Sequence, residues 1–317
     1  MPETEPPTQL RKEHYFSIIM SSAAPTIDPN PRLQSYYASI ESVLGYDLIL
    51  GGTRHFGYYE KGMYNPFPIS RSLRQMEKQL FNALHLSSGS KVLDAGCGNG
   101  HVARYMAQQG LRVTGIDVVE RHARMARKTA KESNLNNGSL EVHHMDYHHL
   151  ESFKDSSFDG VYTMETVVHA VDPESVLAGF FRVIRPGGRI AMHEYDNVLQ
   201  KGDAKIQENL KRSMAQVNEW SAMPTNAISS PDAFKNMLER AGFVDVEVRD
   251  LSDNILPMTR FFFTLAIVPF LIISLLGLER YFINTVAGVQ SYRGRGFWRY
   301  IQISARKPED SSNAVTR

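Results

Sequence analysis

In the middle of the chain, short apolar runs alternate with stretches where apolar residues recur every three or four positions. The runs at 91–95, 112–117, 140–145, 158–164 and 189–195 read as strands. The stretches at 101–109, 120–133 and 173–183 read as helices, the second with a basic outer face. Arg185-Pro186-Gly187-Gly188 predicts a turn before the fifth strand. Strands separated this regularly by helices imply a parallel, doubly wound α/β sheet. Beyond a polar, largely helical insertion at 197–229, a helix at 231–241, a strand at 243–249 and a last strand at 298–305 follow.

The flanks differ from this core. Residues 1–32 form a polar tail with five prolines by Pro29 and little periodicity. A helical pattern at 33–50 stops at Gly51-Gly52, an aromatic loop follows to Gly62, and a helix is expected at 69–86. Segment 33–86 therefore reads as a helical N-terminal lid, 87–250 as the core and 251–308 as an apolar cap plus the last strand. Residues 309–317 read as a tail. Within the cap, residues 261–278 are eighteen positions without a formal charge, which just reaches the length of a membrane span. Pro269 and Gly277 are expected to break that run. A single crossing would also leave the last strand on the wrong side of the bilayer from its sheet. A cap of apolar helices over the site is the expectation, with an exposed face offering peripheral membrane contact.

Composition narrows the field. A formal net charge of +1 and the lack of a basic stripe argue against a nucleic-acid partner. The single cysteine, Cys97, excludes an intramolecular disulfide and a multi-cysteine zinc site. It reads as a small residue that fits a tight loop. No charged segment leads into an apolar run at the N-terminus, so a cytoplasmic location is expected, peripheral on an intracellular membrane if the apolar cap touches one.

The chemistry concentrates where the first strand ends, in Val92-Leu93-Asp94-Ala95-Gly96-Cys97-Gly98-Asn99-Gly100, and where the second ends, at Asp117. Glycines allow a ligand close to the backbone, and the following helix presents free N–H groups. An acid 23 residues beyond Asp94 is placed to accept from two ribose hydroxyls. Asp94 itself would repel a phosphate. It suits instead a nucleoside bearing positive charge, such as the amino group and sulfonium of S-adenosyl-L-methionine.

The pattern D-x-G-x-G-x-G closing a first strand resembles the class I S-adenosylmethionine-dependent methyltransferases. His144-Met145-Asp146, Ser157-Phe158-Asp159-Gly160-Val161-Tyr162 and Arg185-Pro186-Gly187-Gly188-Arg189 are similar to that family's later signatures. The resemblance implies a Rossmann-like doubly wound sheet with a final antiparallel strand. It implies cofactor contacts from Asp94, Gly96, Gly98 and Gly100 around the methionine portion. Asp117 would take the ribose, Asp146 the adenine amino group, and Val118 and Met145 the adenine ring. Tyr162-Thr163-Met164-Glu165-Thr166-Val167-Val168-His169-Ala170, with the ending at 301–308, looks like the sterol 24-C-methyltransferases and related tocopherol methyltransferases. That narrower likeness implies a hydrophobic small-molecule acceptor. The aromatic loop at 55–62 lacks those families' tryptophan-rich form, so a terpenoid or other hydrophobic secondary metabolite fits as well as a sterol.

For carbon methylation, Tyr58, Tyr59 and Phe56 are candidates to face a carbocation, and Glu165 to stabilise it as an anion. Glu165 or His169 is then the proton acceptor. For a hydroxyl or amine acceptor, His169 is the natural general base. His193 and Glu194, at the ligand edge of the sheet, rank behind it. Glu165, His169 and the tyrosines each have a structural alternative: backbone bonding, capping or packing. His143, His144, His148 and His149 cluster in sequence, but successive strand residues face opposite ways, so no metal site is expected. Three further readings stay open: an O- or N-methyltransferase, a non-catalytic partner subunit, and a cyclase in which the bound sulfonium acts only as a charge.

Overall fold

The structure is a computed structural model that describes residues 25–135, 137–198 and 204–309. The expected tails at 1–24 and 310–317 lie outside the described residues. β1 (Lys91–Ala95), β2 (Arg112–Asp117), β3 (Ser139–His144), β4 (Phe158–Met164), β5 (Ile184–Asn197), β6 (Val244–Asp250) and β7 (Trp298–Arg306) form one sheet. Its order is β3-β2-β1-β4-β5-β7-β6. The first five strands pair in parallel, and β7 runs antiparallel between β5 and β6. The doubly wound sheet with a final antiparallel strand is therefore the fold.

Strand alternation divides the core into two layers. Leu93, Ala95, Val161, Ile190 and Met192 face one side, where α6 (Pro173–Val183) and α9 (Ala233–Arg240) supply Leu177, Phe180, Phe234 and Leu238. Val92, Val113, Tyr162 and Ala191 face the other, against Met76, Leu80 and Leu84 of α3 (Ile69–Leu84) and Ala103 and Met106 of α4 (His101–Gln108). α5 (Glu120–Lys131) packs at the β2–β3 end. The insertion is helical, as α7 (Ala204–Trp220) and α8 (Pro224–Ile228).

Three details depart from the pattern-based reading. The single helix expected at 33–50 is two, α1 (Pro31–Ala38) and α2 (Ile40–Leu50), because Ser39 takes an extended conformation and its hydroxyl caps α2 at Ser42 N. The expected turn at 185–188 lies inside β5: Ile184 pairs with Phe158 and Arg189 with Gly160, and the extra residues bulge. Pro269 does not break the apolar run. α10 (Ser252–Leu275) is one helix through Pro257 and Pro269. The hydrogen bond that Pro269 removes is to the carbonyl of Leu265, on the exposed side of the helix.

α10 is long and apolar enough to cross a membrane by length and composition. β7 follows it in sequence, yet pairs with β5 and β6, which precede it. A crossing would split one sheet. The helix is held instead against the protein, with Ile255 and Met258 buried in its first half and Ile273 in its second, while Val268, Leu271 and Leu275 are exposed. The lid is tied to this cap through the Tyr59 backbone: Tyr59 N donates to Asn254 O at 2.9 Å, and the Asn254 side-chain Nδ2 donates to Tyr59 O at 2.8 Å.

A second tie is electrostatic. Glu41 of α2 accepts from Asn284 N, Thr285 N and the Thr285 hydroxyl at 2.7–2.8 Å. These amides open α11 (Ile283–Arg293), whose own N-cap residue Phe282 offers no side-chain oxygen. Glu41 thus caps a helix some 240 residues downstream from across the lid, where the helix dipole favours an anion. Glu41→Ala is expected to cost about 1–3 kcal/mol. It should speed hydrogen exchange at the start of α11 and in α2 while leaving the parallel strands protected; unchanged exchange there would refute the tie.

Candidate active site

β1 ends at the point where the sheet's connections diverge, with β2 on one side and β4 on the other. Ligands bind at such a switch point in doubly wound sheets. Here a cleft of about 760 Å³, its open mouth included, runs from the glycine loop to the end of β4. Gly96 has φ +96°, and a Cβ there would stand 2.6 Å from the Thr166 side chain. Gly100 has φ +81°, and a Cβ there would meet the Ala126 backbone at 3.0 Å. The loop therefore lies closer to its neighbours than any side chain permits.

The acids of this end are prepared differently. Asp117 accepts from Gly98 N and Val119 N, both at 2.8 Å, and faces His122 at 3.3 Å. Burial alone would raise its pKa; His122 and the two amides outweigh burial and hold the carboxyl below its ordinary value. Asp94 lines the cleft with a buried Oδ2 that has no partner. Burial pushes its pKa up to about 8, opposed by the neighbouring Tyr162 and reinforced by Asp117. An orphaned buried carboxylate oxygen beside a glycine loop fits a cationic ligand group. Val118 lines the cleft as expected.

Of the adenine-side residues, Met145 turns away from the cleft and Asp146 is already engaged. Met145 is fully buried in the layer with Leu93 and Ile116 and does not line the cleft, because its alternation in the chain after β3 turns it into the core. Asp146 accepts from the Asp28 amide at 3.3 Å and from His148 N and Nδ1 at 2.9 and 2.7 Å, so the N-terminal segment already covers it. Of the histidine cluster, His144 pairs with Glu120 and His149 with Asp28. Asp28, Asp146 and His149 lie close enough together to hold a metal ion.

At the other end, Glu165 follows β4 with φ +58°, a strained position that turns its side chain toward the lid. Oε1 accepts from Phe56 N and from the Tyr300 hydroxyl, each at 2.8 Å, and Oε2 accepts from the Tyr195 hydroxyl. Burial raises its pKa to about 7, against the opposing charge of His55 and the bonds from Phe56 and Tyr300. His169 sits in a single helical turn, with Nδ1 at 2.8 Å from Ala222 O and Nε2 at 3.1 Å from the Tyr37 hydroxyl. A carbonyl only accepts, so Nδ1 carries the hydrogen and Nε2 accepts from Tyr37. Burial lowers its pKa, keeping the ring neutral.

The remaining candidates fall outside the cleft. Tyr58 packs on the layer of Leu80 and Val92, since its amide pairs with Ser72 O and turns the side chain inward. Tyr59 is buried, bonded to Pro66 O and Ser72. Phe56 joins Tyr195, Trp298 and Tyr300 in an aromatic wall behind Glu165. His193 is fully buried against Gln302, with its pKa lowered to about 3 by burial. Glu194 does not reach the cleft either: its carboxylate accepts from Thr163, Thr166 N, Val167 N and Val168 N and so caps the turn that carries His169. Sequence reasoning missed Arg54, Tyr37 and Tyr300. Tyr195 and Tyr300 are register partners in β5 and β7, a pairing legible only once the antiparallel alignment is known.

Residues 93–192 match a methyltransferase domain family. The chain is 45% identical over 276 residues to the S-adenosyl-L-methionine-dependent Diels-Alderase iccD of Talaromyces variabilis, covering 87% of this chain and 94% of that protein. It is 30% identical over 211 residues to an O-methyltransferase of Pyrenophora dematioidea, covering 66% and 75%. Among solved structures, the [4+2]-cyclase SpnF superposes with a TM-score of 0.68 over 90% of this chain and 99% of its own, at 21% identity, a likeness of fold.

The buried carboxylates set a pH signature. Burial raises the Glu194 pKa to about 8, its four donors notwithstanding. The folded chain therefore retains a proton that the unfolded chain loses near pH 4.3, and stability from this group falls as pH rises from there toward about 8. Glu194→Gln is expected to flatten the decline in urea-unfolding stability between about pH 5 and 8; a decline as steep as in the parent would refute it.

Proposed function

The chain belongs to the class I S-adenosylmethionine-dependent methyltransferase family and binds that cofactor, and from this premise we propose that it is a cofactor-dependent cyclase of secondary metabolism. It closes a ring by Diels–Alder addition between a diene and an alkene of one hydrophobic substrate. The observation that carries the reading is the state of the two groups best suited to acid–base work. Glu165 is held by three protein donors, and His169 is bonded at both ring nitrogens. A concerted cycloaddition moves no proton and no group. It needs a folded substrate conformation, exclusion of water and fixed electrostatics. The Diels-Alderase relative, matched over nearly its whole length, supports the same reading.

Asp94, Gly96, Gly98 and Gly100 would hold the methionine portion, Asp117 the ribose, and Val118 with Asp146 the adenine. Asp146 would then share its Oδ2 between adenine and the Asp28 amide. When bound, S-adenosylmethionine supplies a fixed sulfonium charge and, for methyl transfer, the methyl group. Tyr37, Thr166 and His169 border the acceptor side, and the aromatic wall behind Glu165 keeps water out.

Methyl transfer is the second reading. A carboxyl poised at about 7 exchanges protons readily at neutral pH, and the O-methyltransferase relative favours it. Oxygen or nitrogen methylation, or carbon methylation of a sterol- or terpenoid-like acceptor, would follow.

Two measurements test these statements. Given labelled S-adenosylmethionine and a hydrophobic metabolite extract of the host, the pure protein is expected to yield an isomer of its substrate, unlabelled, with no S-adenosylhomocysteine. A labelled product would replace the cyclase reading with methyl transfer. Asp94→Asn and Asp117→Ala are each expected to weaken S-adenosylmethionine binding by about tenfold or more in calorimetry; parental affinity would overturn the cofactor placement.

A further inference from the structure

The cleft holds one strong charge that neither the fold nor the acid–base argument uses. Arg54 lies in the lid loop and lines the cleft. All three of its guanidinium nitrogens are shielded from solvent without a hydrogen-bond partner, and it forms no ion pair among the described residues. Its Cδ stands 3.8 Å from where a Cβ on Gly98 would be, so the side chain reaches the glycine loop. The guanidinium is held against two rings, 5.2 Å from the centre of Tyr37 and 4.6 Å from that of Tyr46. Those rings cannot neutralise it, because burial raises the pKa of both phenols.

A buried, unpaired guanidinium is costly unless a ligand brings the matching anion. The same cleft holds Asp94 at the end of β1, whose buried Oδ2 has no hydrogen-bond partner. Arg54 and the Asp94 Oδ2 do not pair with each other. An α-amino acid end group carries both complements on adjacent atoms. We propose that Arg54 binds the carboxylate of the cofactor's methionine portion while Asp94 binds its amino group, so that the lid loop closes on the cofactor through Arg54. A planar fork against a carboxylate also makes two parallel bonds. The inference rests on the methionine end lying beside Asp94, which the Asp94→Asn titration checks separately, and it holds for a cyclase and a methyltransferase alike.

The test is calorimetric binding of S-adenosylmethionine and of its decarboxylated form, which keeps the sulfonium and the amine. The full chain is expected to prefer S-adenosylmethionine by about ten- to a hundredfold, and Arg54→Gln to bind the two equally. Arg54→Lys, with the charge but not the fork, should keep part of the preference, and it reads the same quantity if the glutamine variant does not fold. No preference in the parent, or a parental preference in either variant, overturns the proposal. Parental Asp94→Asn affinity with an intact Arg54-dependent preference would displace the amine placement alone.

Discussion

A carboxylate taken out of water must find donors, and the arrangement around Glu165 follows from that requirement. Its donors come from three distant segments: the amide of Phe56 in the lid, the hydroxyl of Tyr195 in β5 and the hydroxyl of Tyr300 in β7. The left-handed backbone at Glu165 is what points the carboxylate at all three. Satisfying one buried charge therefore fixes the lid over the sheet and places an aromatic wall at the back of the cleft. Strain of about 1 kcal/mol at the turn is small beside the cost of leaving such a group without donors.

Glu194 shows the same constraint resolved toward structure. One strand position away from Tyr195 it faces the opposite side of β5. There it meets the free amides of the turn at Thr166–Val168 instead of the cleft. One acid ties the lid to the sheet and the other holds the turn that carries His169. Both ends of His169 are in turn engaged, by Ala222 O and Tyr37. The Glu165 end of the cleft is thus saturated, whereas the glycine-loop end keeps the Asp94 Oδ2 and the Arg54 guanidinium without hydrogen-bond partners. That asymmetry suits an end that recognises a charged ligand next to an end that confines an uncharged one.

The cap illustrates how tertiary pairing overrules local composition. Residues 261–278 carry no formal charge, and those up to Leu275 sit in a helix that continues through Pro269. Its first half packs through Ile255 and Met258 and its second through Ile273 and against α11, where Phe263 meets Tyr292, and the Glu41 cap on α11 ties that next helix to the lid. What anchors this region is a set of backbone and carboxylate bonds to residues some two hundred positions upstream.

The sequence by itself determined the parallel sheet, the glycine loop and the two acids after β1 and β2. Each is a local signature: short apolar runs between helices make the strands, and only glycine fits the φ +96° at Gly96 beside Thr166. The antiparallel last strand came from family likeness, and the register that unites Tyr195 with Tyr300 came from neither. Only the tertiary structure decided which acids and rings face the cleft. Glu165 and Glu194 are both buried acids near strand ends, yet their roles diverge because one follows a left-handed turn and the other continues a strand. Tyr58 and Met145 turned inward for the same reason, since a side chain's direction is set by its backbone's pairing partner. Arg54 carried no local signal, because a charge is informative only when the fold buries it and leaves it without a counter-ion.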